Sequence, residues 1–460
     1  MKRTVALVTL GCARNDVDSE ELAGRLASDG WLLVDDPAEA EIAVINTCGF
    51  IESAKKDSID AMLQADTLKA NGITKKVVAV GCMAERYGKE LATALPEADG
   101  ILGFDDYQDI SARLSSILSG HAHEPHVPQD RRALLPIAPV ERAAVRDEKY
   151  SAAMGAGGAV MRKRLDSAPW APLKIASGCD RRCSFCAIPY FRGSFVSRRP
   201  TEIITEAKWL ADNGVSEIFL VSENTTSYGK DLGDIRLMEK ILPDLSAIDG
   251  IERIRLSYLQ PAEMRPTLIQ AMIESEKVVP YFDLSFQHAS EKITRAMRRF
   301  GDTEKFLHLI SQIRVLSPEA GIRSNFIVGF PGESESDYQM LADFLSEAKL
   351  DAIGIFGYSD EDNTEALALE NKIPEHEIKA RVDSLSSLAD SLVSERAASR
   401  IGSTVKILIE SEESQEGRAA HQGPEVDGTT TIKGGNFKIG QWVTGEVIDS
   451  LGADLIARAL

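Results

Sequence analysis

The stretch Leu173-Lys174-Ile175-Ala176-Ser177-Gly178-Cys179-Asp180-Arg181-Arg182-Cys183-Ser184-Phe185-Cys186 runs from an apolar strand directly into three cysteines. Cys179, Cys183 and Cys186 put three thiols within eight residues on one loop. Structural zinc sites usually close with four ligands in two pairs, and no fourth Cys or His stands nearby. Three thiolates suit a [4Fe–4S] cluster, one per iron, with the fourth iron left open to a small molecule. A three-cysteine zinc site is the alternative.

Downstream of this loop, apolar runs alternate with helical stretches. Strands are predicted at 173–176, 217–221, 254–259, 282–286, 323–328 and 352–356. Six strand-helix units over about 200 residues predict a barrel-like sheet, complete or partial. From about Pro374 a long helix follows, with Ile378, Val382, Leu385, Leu388 and Leu392 on one face. Core packing explains that stripe.

Upstream, one pattern occurs three times. Apolar runs at 5–10, 42–45 and 77–80 end in Gly11-Cys12, Cys48-Gly49 and Gly81-Cys82, each followed by a helical stretch. These helices are predicted at 17–29, 53–69 and 84–94. Strands alternating with helices predict a parallel sheet whose strand ends share one edge, where open α/β sheets bind ligands. Each cysteine sits just past a strand end. Three sequence-distant thiols can therefore converge, although small buried side chains would also explain each one singly. Residues 121–165 contain Pro125, Pro128, Pro136 and Pro139, a glycine cluster at 155–158, and Arg131, Arg132, Arg162, Lys163 and Arg164. They read as a solvated connection, with a contact to substrate or an anionic group as the alternative.

The final segment changes to short alternating strands, predicted at 405–409, 430–432, 442–448 and 454–459, which read as a small β-barrel. Such barrels often bind nucleic acid, but residues 403–460 hold five basic side chains against nine acidic ones. A phosphate-tracking groove is disfavoured there.

Composition agrees. The 460 residues are 43% hydrophobic and 27% charged, with a formal charge of −19 and six cysteines. That is ordinary for a globular protein, too poor in cysteine for a disulfide scaffold, and contrary to broad nucleic-acid binding. An acidic chain attracts basic partners. Met1 to Cys12 has the outline of a lipoprotein signal. Its apolar stretch spans only about seven residues, two of them Thr, and the bulky Leu10 stands where a small residue belongs. The segment therefore reads as a buried strand. No apolar run reaches the roughly 18 residues of a membrane span, so a cytoplasmic enzyme with reduced thiols is expected.

The cluster loop, with Phe185 before its last cysteine, resembles that of the radical S-adenosylmethionine superfamily. Together with Leu10-Gly11-Cys12-Ala13-Arg14-Asn15, Asn46-Thr47-Cys48-Gly49-Phe50-Ile51, Val80-Gly81-Cys82, Gln287-His288-Ala289-Ser290 and Phe326 through Glu333, it resembles the methylthiotransferases over nearly the whole chain. Asn224 through Asp231 and the pair Gly417-Arg418 with 424–428 resemble the branch that modifies an aspartate of ribosomal protein uS12. Asn224 stands where that branch usually has Asp, Ser285-Phe286 where it more often has Pro-Leu, and Ser359 through Thr364 where SxEEGT is usual. The resemblance implies an N-terminal domain (1–120), the connection (121–165), a partial barrel of radical S-adenosylmethionine type (166–400) and a TRAM-like barrel (403–460).

It also implies two [4Fe–4S] clusters, an auxiliary one on Cys12, Cys48 and Cys82 carrying a sulfur species, and one on Cys179, Cys183 and Cys186 that binds S-adenosylmethionine. One S-adenosylmethionine methylates the sulfur. A second gives a 5′-deoxyadenosyl radical, which takes a β-hydrogen from the aspartate before the methylthio group is transferred. An unactivated C–H bond offers no acidic proton, so no catalytic triad is expected. Phe185, Glu223, Asn224, Gln287, Arg323 and Gly329 are expected around the cofactor. For three positions there are plainer alternatives: a hydrogen-bonded core histidine at His288, a structural ion pair at Arg323 and a tight turn at Gly329. The implied partners are uS12 and a low-potential electron donor such as flavodoxin. Methylthiolation of a tRNA adenosine at C2, and a non-enzymatic iron–sulfur carrier, are the competing functions.

Overall fold

The computed structural model describes residues 3–135, 161–424 and 426–460. Part of the 121–165 connection, including its glycine cluster, lies outside the described residues.

Runs of Val, Ile and Ala in residues 4–81 cannot be half-solvated, and they form strands buried on both faces of a parallel sheet. The elements are β1 (Thr4–Thr9), α1 (Ala13–Ser28), β2 (Leu32–Leu33), β3 (Ile42–Thr47), α2 (Glu52–Thr67), β4 (Lys76–Gly81), α3 (Cys82–Ala94), β5 (Gly100–Ile101) and α4 (Ile110–Leu118). Among the described residues the sheet order is β2-β1-β3-β4-β5, all parallel. Two short strands, β2 and β5, were not evident from the apolar runs. Helices α1 and α3 also begin earlier than predicted, immediately after Cys12 and at Cys82 itself. Cys12 and Cys82 are thus pinned at helix starts, while Cys48 directly follows β3 and α2 begins four residues later at Glu52. Gly81 makes the turn from β4 into α3 at φ +91°, and a Cβ there would stand 2.6 Å from the Thr47 carbonyl oxygen. Only glycine fits both constraints.

The central unit contains β6 (Trp170–Lys174), β7 (Ala176–Ser177), α5 (Ile188–Arg192), β8 (Val196–Ser197), α6 (Pro200–Asp212), β9 (Glu217–Val221), α7 (Leu237–Ser246), β10 (Arg253–Leu256), α8 (Pro266–Glu274), β11 (Tyr281–Asp283), α9 (Glu291–Ala296), α10 (Thr303–Leu316), β12 (Gly321–Val328), α11 (Glu335–Ala348), β13 (Ala352–Gly357) and α12 (Glu375–Ala398). Among the described residues it holds two three-stranded parallel sheets, β6-β9-β10 and β11-β12-β13. Parallel bridges Ile254↔Val278 and Leu259↔Leu284 join them. The strands therefore run β6-β9-β10-β11-β12-β13, an arc in sequence order and an incomplete barrel. β10 and β11 are shorter than predicted, and past Leu256 and Asp283 the pairing continues through the isolated bridges Leu259↔Leu284 and Gln287↔Phe326. On the outer face Phe286, Phe306, Phe326 and Phe344 stack with ring centroids 4.5–6.4 Å apart, each pair worth roughly 0.5–1.5 kcal/mol beyond burial.

The last unit is a closed barrel, β14 (Thr404–Ser411), β15 (Glu416–Arg418), β16 (Thr430–Lys433), β17 (Trp442–Leu451) and β18 (Asp454–Ala459), in order β14-β15-β16-β18-β17. β15, too short and glycine-centred to show as an apolar run, completes it. This barrel seats against the amino ends of the central strands. Arg253 donates to the carbonyls of Arg418 (2.9 Å) and Lys406 (2.7 Å), and Arg255 donates to Ala420 (2.7 Å). Glu217, at the start of β9, pairs with Arg418 at 2.9 Å and with Arg253 and Arg255 at 3.2 Å. The small barrel therefore floors the partial barrel, opposite the cysteines. The connection is packed at its described ends. Arg131 pairs with Glu85 and Asp105, and Arg162 with Glu20 and Glu206. No helix among the described residues is long and apolar enough to cross a membrane.

Candidate functional site

The first cysteine trio gathers at the carboxyl edge of the N-terminal sheet. A Cβ on Gly11 would lie 2.9 Å from Cys48 Cβ, and one on Gly49 would lie 3.1 Å from the Cys82 carbonyl carbon. The Asn15 amide on α1 fastens this edge, donating to the carbonyls of Leu10 (2.7 Å) and Thr47 (3.3 Å). Its Oδ1 lies 3.7 Å from Cys82 Sγ. Two cations address the thiols. Arg192, from α5, donates to Cys82 Sγ at 3.0 Å, and Arg14 lies 3.9 Å from Cys12 Sγ. Burial raises the Cys48 thiol and pushes Cys82 up to about 11, while Arg192 pulls Cys82 the other way.

The second trio occupies the loop that leaves β6 and β7. Cys179 accepts from the Arg181 amide at 3.4 Å, and Cys183 lies 3.5 Å from Arg299. Burial pushes Cys179 well up and Cys186 to about 12. Arg181 pairs with Glu263 at 2.6 Å. Ser184, inside the loop, bonds to the carbonyls of Ala296 and Met297 after α9. Past Cys186, Ala187 and Phe191 insert into the core of the N-terminal sheet beside Cys82 and Phe104. The two trios thus share packing.

Glu223 lies between them. At 1% exposure it pairs with Arg14 and, at 3.8 Å, with Arg192. Its Oε2 has no hydrogen-bond partner. Asp18 pairs with Arg192 (3.1 Å) and Lys174 (2.9 Å), extending the network into β6. Arg14 also stacks on Tyr258, 5.8 Å from the ring centroid. Tyr258 and Gln287 end neighbouring strands with φ of +55° and +70°, strained values that in non-glycine residues tend to mark functional sites. Of the expected cofactor residues, the structure brings Glu223 to this junction. It sets Gln287 half-buried at the β11–β12 seam, bonded to Asn325 O and Ile327 N. Phe185 lies against Phe330, Met297 and Tyr358.

The other three expected residues have protein partners of their own. Asn224 spends its amide on Ser227 (2.9 Å), Glu263 (2.9 Å) and Thr226 (2.6 Å). It braces Glu263, the carboxylate that holds Arg181. Arg323, near the start of β12, faces the floor and pairs with Asp427 of the small barrel at 3.1 Å. Its place on the strand, two residues from the amino end, put it at the opposite mouth. Gly329, at φ +77°, is required by α12, since a Cβ would lie 2.5 Å from Ile378 Cγ1. His288 is a core residue, accepting from the Ser290 amide at 3.0 Å. Arg14, Arg192, Tyr258, Glu263 and Arg299 were missed by sequence reasoning. Arg14 and Arg192 lay within the recognisable motifs, two residues after Cys12 and six after Cys186, which was the available signal.

The donor sets suit iron–sulfur clusters. All six cysteines are free, and buried arginines offset thiolate charge. Among the described residues no three His, Cys, Asp or Glu side chains converge on a single-ion site, whereas a cubane spreads its thiolates over separate irons. The unpartnered Glu223 oxygen leaves one buried acceptor open at this junction.

The chain matches three family models. Residues 4–103 match "Uncharacterized protein family UPF0004", 173–345 the radical SAM superfamily, and 401–460 the TRAM domain. It is similar to the ribosomal protein uS12 methylthiotransferase RimO of Streptomyces coelicolor, 60% identical over 100% of this chain and 97% of that one. The same-named protein of Nocardioides sp. is 60% identical over 99% and 97%. Among solved structures it is similar in fold to the radical S-adenosylmethionine methyltransferase TsrM from Kitasatospora setae, with a TM-score of 0.55 and 14% identity, covering 78% of this chain and 75% of that one.

Proposed function

The chain belongs to the ribosomal protein uS12 methylthiotransferase RimO family, and we propose that it adds a methylthio group to the β-carbon of an aspartate of uS12 by radical chemistry. The observation that carries this reading is the junction itself. Arg14, Glu223 and Arg192 gather at the first trio, by the carboxyl mouth of a partial barrel, and the charges of Glu223 and Arg14 reach Cys179 and Cys186 of the second.

In this reading Cys179, Cys183 and Cys186 hold the [4Fe–4S] cluster that binds S-adenosylmethionine, and Cys12, Cys48 and Cys82 hold a second, auxiliary one. When bound, these groups supply a carbon radical able to remove an unactivated hydrogen and a sulfur ready for transfer. The protein's share is positioning and exclusion. Glu223 Oε2 is placed to accept from the cofactor's amino group. Arg14 and Arg192 balance thiolate charge in a dry junction, where unpaired charge is costly. Ala13 packs on Phe219 and Val221 of β9, an apolar contact of α1 with the central unit, and exclusion of water protects a reactive species. Phe185 and Gln287 form the remaining walls.

A cytoplasmic setting suits six free thiols, and the reductant is a low-potential carrier such as flavodoxin. The acidic TRAM-like barrel suits a basic ribosomal protein better than tRNA. The test is anaerobic reconstitution with S-adenosylmethionine and a reductant, offering uS12 and tRNA in parallel, with mass spectrometry of both. A methylthio gain on uS12 alone is expected. A gain on tRNA alone overturns the choice of substrate, and failure to cleave S-adenosylmethionine favours a carrier.

A further inference from the structure

The loop joining α9 to α10, residues 297–302, holds Phe300 outward at 70% exposure. Single exposed apolar side chains are ordinary, but this one is built in place. Arg298 and Gly301 take φ of +56° and +136° on either side of it. The Arg299 amide donates to Thr294 O at 2.8 Å, and Thr294 Oγ1 donates to Gly301 O at 2.9 Å. The preceding turn is tied to the cluster loop through Ser184, which bonds to Ala296 and Met297. Beside Phe300 runs a groove of about 420 Å³ with Pro261, Met264 and Leu309 in its wall. A narrow cleft continues it to Cys183.

Groove and cleft together are lined by five cations, Arg181, Arg295, Arg298, Arg299 and Lys305, and by one carboxylate, Glu291. Arg181 pairs with Glu263 and Arg295 with Glu291, and with the rim pairs counted the face still holds one cation more than it holds carboxylates, in a chain of net charge −19. Arg298 and Lys305 pair with Glu365 and Asp302 at the rim, exposed pairs of small worth that a partner's carboxylates can share. Arg299 spans wall and centre, with Nη1 3.5 Å from Cys183 Sγ and Nη2 2.7 Å from Gln260 Oε1. The face thus abuts the cysteine loop at Cys183.

We propose that this groove docks the protein that reduces the cluster, an acidic one-electron carrier of flavodoxin type, with Phe300 as the apolar anchor and the surrounding cations steering and orienting it. One electron leaves the carrier, which is oxidised, and enters the cluster, which is reduced; no atom or group moves. A basic substrate such as uS12 is repelled by the same charges. The proposal rests on the reading that Cys179, Cys183 and Cys186 hold a cluster.

The test uses the full chain, reconstituted anaerobically, with iron and sulfide counted first. Cluster reduction is then followed by stopped-flow absorbance and electron paramagnetic resonance, with flavodoxin hydroquinone or with dithionite. Phe300→Ala and Arg298→Glu are expected to slow reduction by flavodoxin about tenfold, as loss of an anchor or of steering does, and to leave reduction by dithionite unchanged. Added salt is expected to slow the wild type with flavodoxin more than the Arg298→Glu variant. Unchanged flavodoxin rates in both variants overturn the proposal. So does equal slowing with dithionite, which would make these residues part of the cluster's own support. Weakened uS12 binding with flavodoxin reduction intact would assign the groove to substrate and overturn it too. A wild-type chain that takes up no cluster fails at the iron count, and there it is the underlying reading that falls.

Discussion

Arg192 carries more of the site than its place in a short helix would indicate. Its guanidinium reaches Cys82, Asn15, Asp18 and Glu223, on α3, α1 and the loop after β9. Removing it takes one cation from each of Asp18 and Glu223, which keep Lys174 and Arg14, so the loss stays below the roughly 3–5 kcal/mol of a buried charge left wholly unpaired. Arg192→Met is therefore expected to lower the melting temperature and to lose auxiliary iron selectively. Arg192→Lys keeps the charge without the planar fork and should recover part of both; iron per chain and thermal melts check this. An Arg192→Met protein with full iron would contradict the role. Another informative residue is Asn363. It takes φ +62° where the family usually has glycine, and asparagine is among the few other residues that tolerate that conformation. The departure from SxEEGT is thus conservative in backbone terms. Glu361 in the same loop holds Arg86 (2.9 Å) and Lys55 (3.0 Å) of the N-terminal domain.

Strand-end placement explains why the first trio converges. β1, β3 and β4 pair in register, so that residues 12, 48 and 82 leave one edge of one sheet. That much was legible from apolar runs ending in Gly-Cys or Cys-Gly. The helix starts were not, because Cys12 and Cys82 look like loop residues until the tight turns before them are seen. Gly81→Ala forces a Cβ against Thr47 and Asn46. The expected cost is about 1–3 kcal/mol, typical of overpacking, with a displaced Cys82. Thermal melts and iron content should fall together; a stable protein with full iron would show that the turn has slack. In the central unit the same logic reached Arg323 only in part. Strand membership was readable, but which mouth a residue faces depends on its distance from the strand's carboxyl end, and the boundaries of β12 were needed for that. Asn224 is a different case, since a buried amide can bond inward or toward a ligand and sequence does not distinguish the two.

The molecule closes its barrel with charge. Burial alone would raise Glu217 above its ordinary value of 4.5, but Arg418, Arg255 and Arg253 hold it at about 2. A carboxylate with a depressed value stabilises the fold above its ordinary range. That contribution is lost as pH falls from about 4.5 toward 2. Glu217→Gln should therefore destabilise the chain at neutral pH and flatten its acid unfolding profile over that window, as seen in melts across pH. An unchanged profile would mean that the floor is held by other contacts. Three units in this order were evident from periodicity alone. Their docking was not, because it depends on buried arginines reaching backbone carbonyls of a distant barrel, and no local pattern encodes such pairs.

The account stands on two iron sites in one chain, one for each cysteine trio. Iron and acid-labile sulfide per chain, measured after anaerobic reconstitution of the wild type and of the Cys12→Ala/Cys48→Ala/Cys82→Ala variant, address it most directly. The expected result is about eight irons in the wild type and about four in the variant, four per cubane, with the variant still cleaving S-adenosylmethionine but leaving uS12 unmodified. A wild type that saturates near four irons, or a variant that keeps all of the wild-type iron, would contradict it.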